Sequence, residues 1–356
     1  MSKTLASGIA LFLGNNDKVL INQALNSLDF VNQLRVVRNA SLNGTGLQKM
    51  TVDKGIRPIN LNIDQRGDNQ RAWAGRKLMV YEGMKIIDLI PEELNNTFQS
   101  DMLVPGAKEV PFAQWVWQRE FEKISSEIND SIYLSDYNGL AAAWASGSTY
   151  TGGTSYVKFG TYEDIYKCIT TTTAGQSPDT HPAKWSLVNE SVISTGWGTI
   201  IANEITAGNI AGANLITTGA ISSSNAMTKV NAMVEGMTVA HRNLGGTVKV
   251  SPVVYQNYLK EEKATFTMAL DQRMGDGPKT VYGFPKWGIE QCSWMGTSSR
   301  IIATQKNNLV FGCNLETDSL KPAKTIETLH GTKSVVKWYQ GCEIADLETL
   351  YVNDQA

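Results

Sequence analysis

A stretch with a helical repeat of apolar side chains constrains the fold more than any other part of the sequence. Residues 111–134 read PFAQWVWQREFEKISSEINDSIYL. Five apolar residues recur at intervals of four, three, four and four: Trp117, Phe121, Ile124, Ile128 and Ile132. They would form one stripe along a helix of about 36 Å, with charged side chains on the opposite side. The spacing therefore predicts a long amphipathic helix that packs its stripe against another element.

Composition excludes several classes of protein. The chain has 356 residues, enough for about two or three domains, and its formal net charge is −2. A nearly balanced charge does not indicate a sequence-specific nucleic-acid-binding protein, which typically carries an excess of basic residues. No apolar run approaches the roughly 18 residues of a membrane-spanning helix. The short IALFL near the N-terminus lacks a clear cleavage site, so we expect a soluble, intracellular protein.

Cysteine and histidine are too dispersed to predict a chemical site. The four cysteines form no CxxC pair, and the three histidines have no metal-binding spacing. We therefore interpret the cysteines as small buried residues and expect no metal and no cofactor. Asp and Glu are plentiful, but no segment suggests the carboxylate pair that glycoside hydrolysis requires. No catalytic residue is predicted.

The first 90 residues change from a helical to an alternating pattern. A helical spacing, ended by the turn residues SLNGTG, joins Leu20, Ala24, Leu28, Val31 and Leu34. Residues 47–90 alternate instead around the polar tip DQRGDNQRAWAG, with return strands near Lys77–Tyr81 and Met84–Leu89. A two-stranded ribbon is marginally stable alone and leaves its edges unpaired. The favoured interpretation places it on another subunit, and the alternative places it on its own domain.

Residues 136–189 predict a small all-β module, because they are rich in Gly, Ser, Thr and aromatic residues. Its characteristic residues are Trp144, Tyr150, Gly153, Val157, Gly160, Tyr166, Cys168, Pro178 and Trp185. This succession resembles the chitin-binding modules of carbohydrate-binding families 5 and 12. Those modules usually carry adjacent exposed aromatics where Ile169–Thr173 stand here. We therefore interpret Trp144 and Trp185 as core residues.

The same resemblance suggests where a sugar could bind. Three tyrosines of the module are candidate glycan contacts: Tyr150, Tyr156 and Tyr162. The remaining sequence alternates helices and strands. Met227 to His241 would form one helix closed by Gly245-Gly246, TVKV a strand, and Ser251-Pro252 the start of a second helix. We predict a hairpin from Arg300–Thr304 and Asn308–Phe311. A terminal strand pair, Ser334–Gln340 and Glu343–Val352, would be joined at Gly341-Cys342.

The order of these elements resembles that of the HK97-like major capsid proteins of tailed bacteriophages. Local similarities are GRKLMVYEGMKIIDLIPEELNNTF, YGFPKWGIEQC, IIATQKNNLVFGCNLETD and the terminal KWYQGCEIADLETLYV. The resemblance implies an α+β, HK97-like fold. Its parts would be an N-terminal arm (1–45), an E-loop β-ribbon (46–90), a peripheral domain with a spine helix (91–134, with return strands 324–356), an inserted all-β module (135–192) and an axial domain (193–323).

The resemblance also implies a structural role and no enzymatic activity. Subunits assembled in the host cytoplasm would form the pentamers and hexamers of an icosahedral virion head that encloses double-stranded DNA through non-specific contacts. Scaffolding, portal and decoration proteins are implied partners. The inserted module would project outward, toward host-surface or mucin glycans. Two alternatives remain: an encapsulin-like nanocompartment shell, and a glycan-binding adhesin or enzyme.

Overall fold

The computed structural model describes residues 28–52, 71–89, 109–135, 141–161, 164–187, 193–265, 280–314, 323–327 and 332–355. The α-helices are α1 (Glu109–Ser131), α2 (Trp197–Thr206), α3 (Ala226–Glu235), α4 (Val239–Leu244) and α5 (Pro252–Thr265). The strands are β1 (Arg35–Val37), β2 (Thr45–Val52), β3 (Arg71–Leu78), β4 (Tyr81–Leu89), β5 (Ala142–Ala143), β6 (Tyr156–Phe159), β7 (Asp164–Cys168), β8 (Trp185–Leu187), β9 (Leu215–Ile216), β10 (Gly246–Val250), β11 (Thr280–Val281), β12 (Phe284–Gln291), β13 (Ile302–Thr304), β14 (Leu309–Asn314), β15 (Ala323–Glu327), β16 (Thr332–Ile344) and β17 (Tyr351–Asn353). This mixture confirms the predicted α+β class.

Helix α1 buries the predicted apolar stripe. All five stripe residues are at most 5% exposed, and they share a core with Ile87 of β4 and Val336 of β16. Each buried side chain of this size stabilises the fold by roughly 1.5–3 kcal/mol relative to exposure. The predicted helix is therefore confirmed, although it begins at Glu109 and ends at Ser131.

The sheet beneath α1 has five strands, with β16 at its centre. Strand β16 pairs with β4 along one side and with β15 and β14 along the other, and β1 adds in parallel to β14. The predicted terminal strand pair is wrong, since β16 runs unbroken through Gly341-Cys342. Glycine at 341 reflects close packing instead of a turn. A Cβ there would lie 1.9 Å from the carbonyl oxygen of Met79.

A second sheet of six strands has the order β11-β12-β10-β13-β17-β9. Helices α3 and α5 cover it with a second core. The predicted hairpin of Arg300–Thr304 and Asn308–Phe311 is wrong, because β13 pairs with β10 and β17, whereas β14 belongs to the five-stranded sheet. The Asn308 side chain lies in the turn between these two strands. Its amide donates to the Asp346 carbonyl at 2.8 Å and its oxygen accepts from the Asp346 N–H at 2.7 Å, so it fixes the turn to another segment.

The helix expected from Met227 to His241 is two helices. Gly236 follows α3, and the Thr238 side chain caps α4 by accepting from the His241 N–H. His241 is half-buried, and its Nδ1 lies 2.9 Å from the Tyr351 hydroxyl. The predicted strand TVKV and the helix after Ser251 are present as β10 and α5.

The N-terminal helical pattern is described only from Leu28 onward. Residues 29–32 form a short 3-10 helix, and the chain then enters β1 instead of remaining helical to Leu34. Leu28 and Phe30 are buried in the core of α1. Residues 1–27 of the predicted arm lie outside the described part of the chain.

Strands β5 to β8 form a separate four-stranded sheet with its own small core of Val157, Cys168 and Trp185. The chain segments on either side of this sheet meet in space. Ser135 donates its hydroxyl to the Ser194 carbonyl at 2.6 Å and accepts from the Gly196 N–H at 2.8 Å. The residues between are thus an excursion from the body of the fold.

Candidate assembly surface

The ribbon of β2 and β3 has one face that is partly buried and one that is exposed. The strands pair antiparallel from Thr45↔Leu78 to Val52↔Arg71. Because side chains alternate between the faces of a strand, Leu47, Lys49, Arg76 and Leu78 share one face, and Met50, Val52 and Trp73 share the other. We call these the inner and outer faces of the ribbon. The predicted polar tip at residues 64–75 is described only from Arg71, and there it is wrong, because Arg71–Gly75 already belong to β3. The predicted return strand near Met84–Leu89 is present as β4, but it pairs with β16 instead of with the ribbon.

The base of the inner face packs on the body of the same chain. Leu47 and Leu78 are buried with Val80 and with Val310 of β14. Gly312 of β14 lies against the same site, because its added Cβ would be 2.7 Å from the Leu78 Cδ2 atom. The interpretation that the ribbon packs on its own domain therefore holds for this end.

Two charge clamps reinforce the attachment, each formed by one ribbon cation and two carboxylates of the body. Lys49 Nζ lies 2.9 Å from Asp346 and 2.5 Å from Glu348. These contacts are beside the end of β16. One cation therefore ties β2 to the segment that follows β16.

The second clamp joins β3 to α2 and β16. Arg76 Nη2 lies 2.6 Å from Glu204 of α2 and 2.9 Å from Glu343 of β16. Burial acts to raise the pKa of Glu204, but the hydrogen bonds from Arg76 and Asn209 and the charge of Arg76 outweigh it, so this pKa lies below its ordinary value. The carboxylate is therefore ionised and paired at neutral pH.

The outer face of the ribbon exposes large apolar side chains. Trp73 is 68% exposed, Val52 53% and Met50 47%. Trp73 stands directly opposite Met50, and the exposed Arg71 stands opposite Val52, so the outer face presents an apolar patch with a cation at one end. Among the described residues, β2 and β3 pair only with each other, which leaves the outer edge of each strand unpaired.

A second apolar surface lies on the five-stranded sheet, on the side away from α1. Lys85 of β4 faces α1 and pairs with its Glu120 at 3.3 Å, so the alternating residues Met84 and Ile86 point the other way and are exposed. Ile326 of β15 is exposed as well. Ion pairs flank this surface, between Glu82 and Lys337 at 2.7 Å and between Asp88 and Lys333 at 3.6 Å.

The candidate glycan contacts that the structure describes lie in different environments within the module. The Tyr150 ring packs edge-on against Trp185 at 5.4 Å, and its hydroxyl accepts from the Ala145 N–H at 2.8 Å. Tyr156 is half-buried beneath Lys167 Nζ, which lies 5.3 Å from its ring centroid. Tyr162 lies outside the described residues. Trp185 is buried and Trp144 half-buried against the module core, as the core interpretation of the tryptophans requires.

The cysteine side chains are buried in the interior and pack there. All four cysteines are free and buried, and burial raises the pKa of Cys292 to about 12 and that of Cys313 to about 11. Within the described part of the chain, no three His, Cys, Asp or Glu residues are grouped to hold a metal ion. No described helix is long and apolar enough to cross a membrane.

Sequence reasoning missed the clamps and α2. Lys49 and its partner Asp346 are 297 residues apart, and Arg76 and Glu204 are 128 apart, so no local spacing connects them. The available signal was the alternation of β2, which places Lys49 two residues beyond the apolar Leu47 on the same face. A cation on the same face as a buried apolar residue can pair with a carboxylate of the segment that the face packs against.

Comparison with known proteins adds structural similarities only. No protein-family model and no curated protein matches the sequence. The satellite phage P4 procapsid that includes the size determination protein is 8% identical, covering 95% of this chain and 90% of that chain with a TM-score of 0.48. The capsid of Myoviridae phage XM1 is 13% identical over 92% and 91%, with a TM-score of 0.43. The holo-SrpI encapsulin complex of Synechococcus elongatus is 9% identical over 92% and 88%, with a TM-score of 0.43. The similar solved structures are thus of the phage-capsid and encapsulin types.

Proposed function

We propose that this chain is the subunit of a closed protein shell of the HK97-like capsid type. The observation that carries the proposal is the two-faced ribbon, fixed to its own body by the inner face and exposing Trp73, Met50 and Val52 on the outer face. Large exposed apolar patches mark interaction sites, and tryptophan is enriched among the residues that dominate interface energy. The partner we propose for the outer face is a second copy of the chain.

A contact between the ribbon of one copy and a different surface of the next repeats from copy to copy. Such head-to-tail contacts generate rings when the rotation closes. We propose that the rings are the pentamers and hexamers of an icosahedral virion head, which holds double-stranded DNA by non-specific contacts. Assembly would occur in the host cytoplasm with scaffolding, portal and decoration proteins. The module would face outward, with Tyr150, Tyr156 and Tyr162 as proposed contacts to host-surface glycans.

Electron microscopy and native mass measurement of the purified chain test the assembly. We expect rings or closed shells from the wild type. Trp73→Glu places a charge on the outer face and should raise the concentration needed for assembly by at least about tenfold. Leu187→Glu is the matched control, because Leu187 is 51% exposed on the module and lies outside the ribbon.

Two outcomes would reject the proposal. One is a wild-type chain that stays a single subunit under every assembly condition. The other is a Trp73→Glu chain that assembles as well as the Leu187→Glu control. Thermal unfolding of the dissociated subunits should be the same for both variants, since each changes an exposed side chain.

The content of purified particles separates the genome-bearing shell from the encapsulin-like alternative. A virion head would contain nuclease-protected double-stranded DNA, whereas a nanocompartment would contain a cargo protein. Particles should therefore be purified from the native source, treated with nuclease, and analysed for both. Particles that hold only a protein cargo would contradict the phage assignment and leave the shell proposal in place.

A further inference from the structure

The base of the ribbon covers only part of one side of the five-stranded sheet. In β14, Phe311 belongs to the core of α1, whereas Val310 packs with Leu78 of the ribbon. Because side chains alternate along a strand, the ribbon base lies on the side of the sheet away from α1. Met84 and Ile86 of β4 are exposed on this same side. The chain's own ribbon therefore leaves the surface around these two residues uncovered.

This uncovered area, which we call the β4 surface, consists of two neighbouring rows of side chains. The row on β4 has two carboxylates that bracket two apolar residues: Glu82, Met84, Ile86 and Asp88. Lysines of β16 form the row beside it. Lys337 Nζ lies 2.7 Å from Glu82 Oε1. Lys333 Nζ lies 3.6 Å from Asp88 Oδ2. Among the described strands β4 pairs only with β16, so the carboxylates occupy the outer row and the lysines the inner row.

The outer face of the ribbon has the complementary pattern. Its row on β3 has two cations that bracket a tryptophan and a glycine: Arg71, Trp73, Gly75 and Lys77. Its row on β2 is uncharged and consists of Gly46, Gln48, Met50 and Val52. Both cations are exposed, and neither β2 nor β3 contains an acidic residue. Positive charge is thus confined to one row of the ribbon.

The charged row of the ribbon and the carboxylate row of the β4 surface also match in length. Arg71 and Lys77 are six residues apart on β3, and so are Glu82 and Asp88 on β4. In extended chain this separation is about 20 Å for each pair. When β3 of one copy lies along β4 of the next, in either direction, each cation meets a carboxylate and Trp73 meets the apolar residues between them. The uncharged row of β2 then lies over the lysine row and adds no like charge.

The same charges disfavour a contact between two ribbons. Outer face against outer face would bring Arg71 and Lys77 of both copies together without a carboxylate between them. Like charges in a contact are unfavourable and act against wrong partners. The charge pattern therefore favours a head-to-tail contact, in which the ribbon of one copy meets a different surface of the next.

We propose that Arg71 and Lys77 set the register of the ribbon on the β4 surface of a second copy, through ion pairs with Glu82 and Asp88. The inference rests on the proposed assembly and specifies both the receiving surface and the residues that select the position on it. Burial of Trp73 supplies most of the affinity, because exposed ion pairs contribute little. A slip of two residues along β4 would keep the apolar contact but separate the charges, so the charges select the register.

An exchange of charges between the two surfaces tests the register. Association of the purified chain is followed by sedimentation velocity as a function of concentration. Arg71→Glu with Lys77→Glu should weaken association by at least about tenfold, as should Glu82→Lys with Asp88→Lys. The chain with all four substitutions should recover most of the wild-type association, because opposite signs then face each other again.

Arg119→Glu with Lys123→Glu is the matched control. It makes the same change of charge on the exposed side of α1, where these residues pair with Glu122 and Glu127. The control should associate as the wild type does. Thermal unfolding of the dissociated subunits should be similar for all these chains, since every substitution is at an exposed side chain.

Three results would overturn the inference. One is unchanged association of the Arg71→Glu, Lys77→Glu chain, and the second is an equal loss in the control. The third is a four-substitution chain that associates no better than either double variant. If the wild type assembles and Trp73→Glu weakens assembly while the exchange restores nothing, the register is wrong and the shell proposal stands. A wild type that never associates rejects both.

Discussion

Gly341 stands within β16 at a point where the backbone of another segment comes very close. An added Cβ would lie 1.9 Å from the carbonyl oxygen of Met79, which precedes β4. We predict that Gly341→Ala lowers the free energy of unfolding by about 2–3 kcal/mol, because β16 and the segment before β4 must separate. Chemical denaturation measures the change.

The control for this substitution is Gly147→Ala in the module. An added Cβ at Gly147 would meet nothing within 4 Å. Its unfolding free energy should stay within about 0.5 kcal/mol of the wild type. A Gly341→Ala chain as stable as this control would show that the backbone can shift to accept the methyl group.

The Arg76 clamp should make the ribbon attachment sensitive to acid. The pKa of Glu204 is lower in the folded chain than its ordinary value, so its contribution is complete above the unfolded pKa and is lost as the pH falls through the folded value. Below about pH 4, β3 should therefore loosen. Glu343 is the other carboxylate on Arg76, at 2.9 Å.

Hydrogen exchange of the β3 amides, followed as a function of pH, measures this loosening. With each rate compared with the intrinsic rate at the same pH, Glu204→Gln should lower the protection of these amides at pH 7 and flatten its acid-dependent loss, since the clamp is then already weakened. Arg119→Met, which removes an exposed ion pair with Glu122, is the control and should leave the β3 profile unchanged. Identical profiles for Glu204→Gln and the wild type would show that Leu47 and Leu78 hold the ribbon without the clamp.

At the scale of elements, the four-stranded sheet is attached to the body at one place. Ser135 and Ser194, on either side of it, are hydrogen bonded to each other. A short Gly/Ser linker replacing residues 137–192 therefore has almost no distance to span. We predict that the shortened chain still folds and assembles, because the described strands β5 to β8 pair only among themselves.

Electron microscopy of the shortened chain checks this prediction. Particles of the wild-type diameter with a smoother outer surface are the expected result. The complete loss of particles, with the subunit still folded by circular dichroism, would mean that the module takes part in closure. Glycan binding by the module stays a separate prediction. The absence of binding on an array of chitin and mucin glycans would contradict it.

At the scale of the whole molecule, the last strand links distant parts of the chain. Strand β17 lies between β13 and β9, and Tyr351, Val352 and Asn353 are buried there. Asn353 accepts from the Ile301 N–H at 2.8 Å and donates to the Ser299 carbonyl at 3.1 Å. We predict that a chain ending at residue 349 loses cooperative unfolding of the six-stranded sheet. A chain ending at residue 355 is the control, and near-ultraviolet circular dichroism during heating compares them.

Local patterns in the sequence were sufficient for several elements. The stripe of α1, the strand β10 and the start of α5 at Ser251-Pro252 depend on residues within one or two turns of each other. The presence of the two-stranded ribbon also follows from alternation, whereas the start of β3 at Arg71 does not, because the glycine and polar residues near it are typical of a turn. Such features can be predicted because the helical and strand periods are fixed by backbone geometry.

The pairing of strands and the joining of charges required the folded chain. β13 and β14 are neighbours in sequence, yet they enter different sheets, and Asn308 in the turn between them is bound to Asp346. The clamps at Lys49 and Arg76 likewise depend on segments far away in sequence. Local periodicity specifies which face of an element is apolar, but the partner of that face is selected by packing among all the elements together.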